Sequence, residues 1–166
     1  MTDRISAAHR SWNMSRIRGK DTGPEIRLRK MLHRAGYRFR LHAPNLPGKP
    51  DIVLPKYRAA IFIHGCFWHG HNCHLFRVPA TRTEFWTAKI AGNRHRDARV
   101  REALLQSGWR RLAIWECALK GRERLEFASV LDRIYEWIEG DEKDIEISGT
   151  NVPSDSAAIS GSSRAQ

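Results

Sequence analysis

The densest chemistry in the sequence is the run Cys66-Phe67-Trp68-His69-Gly70-His71-Asn72-Cys73, and the only other cysteine is Cys117. Thiolate sulfur and imidazole nitrogen together suit zinc, and Cys66, His71, Cys73 and Cys117 make a Cys3His set of the closed tetrahedral kind that staples structure. His74 rivals His71 for the fourth place. An odd number of cysteines, behind an N-terminus without an export signal, does not read as a disulfide framework. Once the zinc set is filled, His64 and His69 are left over, and Asp51 lies upstream of both on a short β-type run. A carboxylate at a strand end can hold magnesium, a hard cation that takes few protein oxygens and keeps most of its waters. Phosphodiester hydrolysis needs such an ion on the scissile phosphate and a base for the attacking water. Asp51 suits the first task, and His69 or His64 the second.

The elements that must position these residues follow from periodicity. Pro24 stands in a first helical turn, and Leu28, Met31, Leu32 and Ala35 then recur at helical spacing, so a helix is expected over about residues 23–35. Tyr37, Phe39 and Leu41 alternate with arginines as in a half-buried strand. A turn-rich stretch ends in Pro50 and delivers a second strand, residues 51–54. The apolar run Ala59-Ala60-Ile61-Phe62-Ile63 reads as a central strand covered on both faces. Beyond the His/Cys loop, residues 83–106 have helical spacing, 109–117 read as a fourth strand, and 125–138 as a closing helix. The order is αβββαβα, an α/β fold with one mixed four-stranded sheet flanked by helices.

Charge bounds the partner. The chain of 166 residues has a formal charge of +11, and five acids against two cations in residues 141–166 leave +14 on the first 140. A globular part that basic faces a polyanion. No apolar run is long enough for a membrane span, so no membrane partner is expected, and the cytoplasm is the expected compartment. Residues 1–20 read as a basic N-terminal arm carrying Trp12 and Met14, residues 21–140 as the folded domain, and residues 141–166, rich in Ser, Gly, Asp and Ala, as a disordered tail without functional signal.

Several motifs carry a resemblance. Phe62-Ile63-His64-Gly65-Cys66-Phe67-Trp68-His69, Val78-Pro79-Ala80-Thr81-Arg82-Thr83-Glu84-Phe85-Trp86, Trp115-Glu116-Cys117-Ala118-Leu119 and Pro47-Gly48-Lys49-Pro50-Asp51 resemble the very short patch repair endonucleases, over roughly residues 10–140. The resemblance implies a restriction-endonuclease-like core with a structural zinc. It also implies magnesium-dependent nicking of double-stranded DNA on the 5′ side of the T in a T:G mismatch left by 5-methylcytosine deamination. In that reading Asp51 and the backbone carbonyl of Ile63 hold magnesium, His69 acts at the scissile phosphate, Glu25 orients His69, and His64 supports the hydrated ion. Cys66, His71, Cys73 and Cys117 hold zinc. Phe67, Trp68 and Trp86 wedge into DNA from the major groove, Met14 presses from the minor groove, and Lys89 and Asn93 face the mismatch and nearby backbone. Arg77, Arg82, Arg94, Arg96, Arg99 and Arg101 mostly neutralise phosphates. The expected protein is a bacterial monomer acting at the nucleoid, cooperating with mismatch-repair proteins.

Two departures accompany the resemblance: Ile63 replaces an expected threonine, and His74 an expected aromatic. The superfamily's Asp/Glu-x-Lys pair is not evident after the second strand. Other readings are a restriction endonuclease, a mismatch nickase of different specificity, or a zinc-stabilised DNA-binding module that does not cut.

Overall fold

The computed structural model describes residues 6, 8, 9, 12, 15 and 21–150. Met14 and the residues after 150 lie outside the described residues, and so do most of the expected arm and most of the expected tail. The chain divides into two compact units, residues 1–38 and 39–166.

In the first unit, helix α1 spans Gly23–Arg34 and buries Glu25, Leu28 and Leu32. Thr22 is its extended N-cap, and Glu25, three residues on, binds back to the entry: Oε2 accepts from the Asp21 amide at 2.8 Å and Oε1 from the Thr22 hydroxyl at 3.0 Å. This resembles a capping box shifted by one residue, in which the third helical residue reaches back to the amide before the N-cap and to the N-cap hydroxyl. Arg29 closes the group, donating to Glu25 at 3.1 Å and to Asp21 at 2.6 Å. The helix ends where the Tyr37 amide donates to Leu32, which takes Tyr37 out of the expected strand and into the C-terminal cap.

The second unit is built on a five-stranded mixed sheet in the order β1-β2-β3-β4-β5. The strands are β1 (Arg40–Leu41), β2 (Ile52–Leu54), β3 (Ala59–His64), β4 (Arg110–Trp115) and β5 (Asp144–Ile147). β1, β2 and β3 pair antiparallel, whereas β3, β4 and β5 pair in parallel. The turn between β2 and β3 is a short 3-10 helix, Pro55–Tyr57. Long crossovers supply the helices: α2 (Thr83–Gln106) between β3 and β4, then α3 (Glu116–Leu119) and α4 (Phe127–Glu139) before β5, as parallel pairing requires.

The structure corrects three expectations. The sheet has five strands rather than four, and residues 144–147 lie in its fifth strand rather than in a disordered tail. The acids that made the segment look solvated have partners. Arg111, only 5% exposed, donates to Asp144 at 2.7 Å and to Glu146 at 3.1 Å, the pairing a buried guanidinium needs. Arg101 also pairs with Asp144. In addition, Cys117 does not end a strand but sits in the first turn of α3.

The core consists of Ile52, Leu54, Ile61, Leu112, Ile114, Ile134, Trp137 and Ile147, each at most 2% exposed. Each aliphatic side chain so buried contributes about 1.5–3 kcal/mol relative to exposure. One face matters most for function. Ala60 and Phe62 pack with Leu104 of α2, with Val100 and Trp109 around them, and His64 follows on the same face by the two-residue period of a strand.

Candidate active site and metal centre

Helix α2 carries the stripe that meets that sheet face. Trp86, Ile90, Asn93, Asp97, Val100 and Leu104 recur at spacings of three and four, so they share one side of a helix. The sequence therefore places a carboxylate, Asp97, between apolar positions and toward the sheet. In the structure His69 Nδ1 and Asp97 Oδ2 are 2.6 Å apart. His69 stacks on His64, with ring centroids 4.0 Å apart and planes within 7°. One ligand atom from each of His64, His69 and Asp97 lies within 4.8 Å of the others.

Sequence reasoning missed Asp97. Its signal was an acid on the mostly apolar stripe of a helix long enough to span the sheet. Glu25, assigned by resemblance to orient His69, lies in the first unit, where Asp21, Thr22 and Arg29 are its partners.

Asp51 immediately precedes β2. Extending the register Ile52↔Ile61 by one residue sets it opposite Phe62, and directly opposed residues share a sheet face. Asp51, Phe62 and His64 are therefore on the same face. The Asp51 carboxylate accepts a hydrogen bond from the Ile63 amide at 2.7 Å, which pins it beside the end of β3. His64 is buried, and its Nδ1 has no hydrogen-bond partner among the described residues. Burial first, and then the charges of His69, Arg111 and His71, hold its pKa well below the ordinary histidine value, so His64 stays neutral where an exposed histidine would begin to charge.

The loop after β3 turns tightly back on itself. The His69 amide donates to Gly65, Gly70 to Phe67, and His71 to Cys66. Gly70 has φ +61°, and a Cβ there would meet Ile90 Cγ2 at 2.6 Å, so a glycine lets the loop lie against α2. These turns gather Cys66, His71, Cys73 and Cys117, with one ligand atom from each within 4.8 Å of the others. His71 Nδ1 is 3.6 Å from both Cys66 Sγ and Cys117 Sγ. The edge of a tetrahedron with zinc–sulfur and zinc–nitrogen bond lengths is about 3.6 Å, so the donor set and its spacing fit zinc.

Electrostatics agree with a cation-ready site. Cys117 is held below the usual thiol range, chiefly by a hydrogen bond from Cys66, while that contact and burial push Cys66 up, and burial raises Cys73. Three crowded sulfurs share protons unevenly in this way, and a divalent cation lets all three ionise. His74 is outside the set, its Nδ1 meeting Glu123 at 2.9 Å.

The aromatic residues flank this loop. Phe67, Trp68 and Trp86 touch one another with centroids 5.1–6.0 Å apart. All three are half-buried, as expected if adjacent loop aromatics cannot both enter the core. Lys89 Nζ lies 5.6 Å from the Trp68 ring and 5.8 Å from Trp86 and Phe85. Asn93 donates to the Trp68 carbonyl at 2.8 Å, so its amide braces the aromatic loop. Arg94, Arg96 and Arg99 are exposed on α2, whereas Arg101 is engaged by Asp144. Among the described residues no helix is long and apolar enough to cross a membrane.

A basic protein with a mixed sheet, a histidine–carboxylate cluster at its strand ends and a Cys/His centre beside them fits the α/β nucleases. Comparison with known proteins narrows the class. Residues 2–75 match the family model described as DNA mismatch endonuclease Vsr. The DNA mismatch endonuclease Vsr of Escherichia coli (strain K12) is 50% identical over 141 residues, covering 85% of this chain and 90% of that protein. The Type II nicking enzyme V.XorIIP of Xanthomonas oryzae pv. oryzae is 48% identical over 76% of this chain and 93% of its own length. The Type II nicking enzyme V.NmeAIP of Neisseria meningitidis serogroup A is 43% identical over 75% of this chain and 92% of its own. The chain belongs to the Vsr family of DNA mismatch endonucleases, hydrolases that act on DNA phosphodiester bonds.

Proposed function

We propose that this protein nicks double-stranded DNA on the 5′ side of the mispaired T in a T:G mismatch, as very short patch repair requires, through a restriction-endonuclease-like core. The observation that supports this reading most is the His64–His69–Asp97 cluster after β3, with Asp51 held to the Ile63 amide on the sheet face that carries His64.

Asp51 and the Ile63 carbonyl would hold magnesium, which would supply positive charge to the scissile phosphate. The fit rests on a carboxylate pinned to the Ile63 amide and on the small set of protein oxygens that magnesium takes. His64, neutral and with a buried nitrogen that has no partner among the described residues, would bond a water of the hydrated ion. His69 would accept the proton of the attacking water through Nε2, because Asp97 holds the Nδ1 proton and stabilises the imidazolium that forms. Zinc, held by Cys66, His71, Cys73 and Cys117, would fix the loop that carries His69.

Phe67, Trp68 and Trp86 would wedge between bases, with Met14 opposing them. Lys89 would face the mismatch, Asn93 would hold Trp68's main chain in place, and the exposed arginines of α2 would contact phosphates. A wobble pair costs less to unstack than a matched pair, so the wedge itself favours mismatched DNA.

The test is an oligonucleotide duplex carrying one T:G pair, incubated with magnesium or with EDTA. Nicking of the T strand alone is expected, dependent on magnesium; cutting of both strands of matched DNA, or binding without cutting, would sink the proposal. In the same assay Trp68→Ala should lower the preference for T:G over matched duplex by about tenfold or more, since stacking contributes about 1–3 kcal/mol per base. Unchanged preference would remove the wedge role. Asp97→Asn preserves shape but loses charge. It should reduce kcat about a hundredfold with KM little changed, the low end of what general-base catalysis contributes, and Asp97→Glu should recover part of the loss. A wild-type kcat in Asp97→Asn would show that the contact to His69 plays no part in turnover.

A further inference from the structure

The segment 144–150 reaches the Cys3His centre at two points, although nothing in its composition hints at a role there. At the first, Glu146 Oε2 accepts from Trp115 Nε1 at 2.9 Å. Trp115 lies flat on the His71 imidazole, with centroids 4.0 Å apart and planes within 13°, so Glu146 sets the plate against which a ligand ring is held. Arg111 fixes the other oxygen of Glu146. At the second point, the chain leaves β5 and the Gly149 amide donates to Cys117 Sγ at 3.3 Å, in a fully buried contact.

Only glycine fits there. A Cβ on Gly149 would stand 2.5 Å from the Glu123 carbonyl oxygen and 2.7 Å from that of Cys117, both backbone atoms that cannot swing aside. The next residue continues the grip, since the Thr150 amide donates to the Glu123 carbonyl at 2.8 Å. Glu123 in turn meets His74, next to Cys73, through its carboxylate.

We propose that residues 144–150 complete the zinc centre, with the Gly149 N–H donating to the Cys117 thiolate and Glu146 positioning His71 through Trp115. This rests on the reading of Cys66, His71, Cys73 and Cys117 as a zinc site. An N–H aimed at a metal-bound thiolate withdraws charge from the sulfur, so the thiolate resists protonation and keeps its metal. Such outer partners change metal affinity by about ten- to a hundredfold when removed. The segment is therefore a set of positioning residues for the metal loop, and through that loop for His69.

The test uses the full chain loaded with zinc. Metal analysis of the wild-type protein comes first: less than one zinc per chain would remove the underlying reading, and this one with it. Zinc transfer to a competing chromogenic chelator is then followed. Gly149→Ala and Glu146→Ala should each release zinc at least tenfold faster than wild type, and wild-type rates in both would overturn the proposal even with stoichiometric zinc. If Gly149→Ala does not fold, the wild-type chain loaded with cadmium-113 decides. A scalar coupling between the Gly149 amide proton and the metal is expected through the N–H···S contact, and its absence, with coupling from the Cys117 β-protons present, would overturn the assignment.

Discussion

Asp51→Ala is expected to abolish nicking at a T:G mismatch, by at least about 10⁴-fold, while mismatch binding stays within a few-fold of wild type. The effect is large because charge stabilisation at the reacting phosphate is usually the largest part of such catalysis, and Asp51 is the carboxylate set just before β2 on the face shared with His64. Binding should survive because, on the proposed reading, it draws on other groups. The aromatic ring at Phe67, Trp68 and Trp86 and the exposed arginines of α2 are separate in the chain from Asp51. Single-turnover nicking and gel shift on the same duplex, with and without magnesium, check both halves. Cleavage at a tenth of the wild-type rate or faster would mean that Asp51 holds no essential ion. Loss of binding and cleavage together would assign the carboxylate to DNA docking or to folding instead. Asp51→Asn adds a useful contrast, because it retains an acceptor for the Ile63 amide and removes only the charge that a cation needs.

The parts of this site that were legible in the sequence are those set by local spacing. Three of the four residues of the Cys/His cluster fall within eight positions, and a tight loop brings them together whatever the sheet does. Cys117 joins them because β3 and β4 run parallel, with His64 opposite Trp115, so both chains leave the sheet at the same end. The long helix α2 and the central strand β3 announced themselves by length and apolar run, and both appear where periodicity put them.

What escaped notice depended on tertiary partners. Asp97 looked like one more charge on a charged helix, and it becomes informative only when its position on the stripe with Ile90, Val100 and Leu104 is counted. β5 is four residues of alternating acid and isoleucine inside a polar segment. Its acids are explained by Arg111 and Trp115, which lie more than twenty residues away in the chain, so composition argued for solvent where the fold supplies a buried guanidinium. The strand expected from residue 37 shrank to Arg40–Leu41 for the opposite reason, because a local helix cap claimed Tyr37 first.

If the Cys/His cluster holds zinc as proposed, removing the ion is expected to cost the fold as well as the reaction, and here the magnitude separates the two centres. Apparent zinc binding energies at structural sites are about 10–16 kcal/mol, comparable with the whole stability of an ordinary domain at about 5–15 kcal/mol. Cys73→Ser is the informative variant. Cys66 and Cys117 are fully buried and any change there also disturbs packing, whereas Cys73 is only half-buried, so a loss of stability reports ligation more than lost volume. Thermal unfolding of Cys73→Ser should occur at least about 15 °C below wild type, as a loss of several kcal/mol implies at this chain length. Prolonged chelation of the wild-type protein should reproduce that lowering, with nicking lost because His69 rides on the same loop. Asp51→Ala should keep one zinc per chain and unfold near the wild-type temperature. Were Cys73→Ser to melt within about 2 °C of wild type and still cut, the Cys/His cluster would be a group of buried thiols with no structural ion, and the loop would have to owe its shape to Gly70 and the Asn93–Trp68 brace alone.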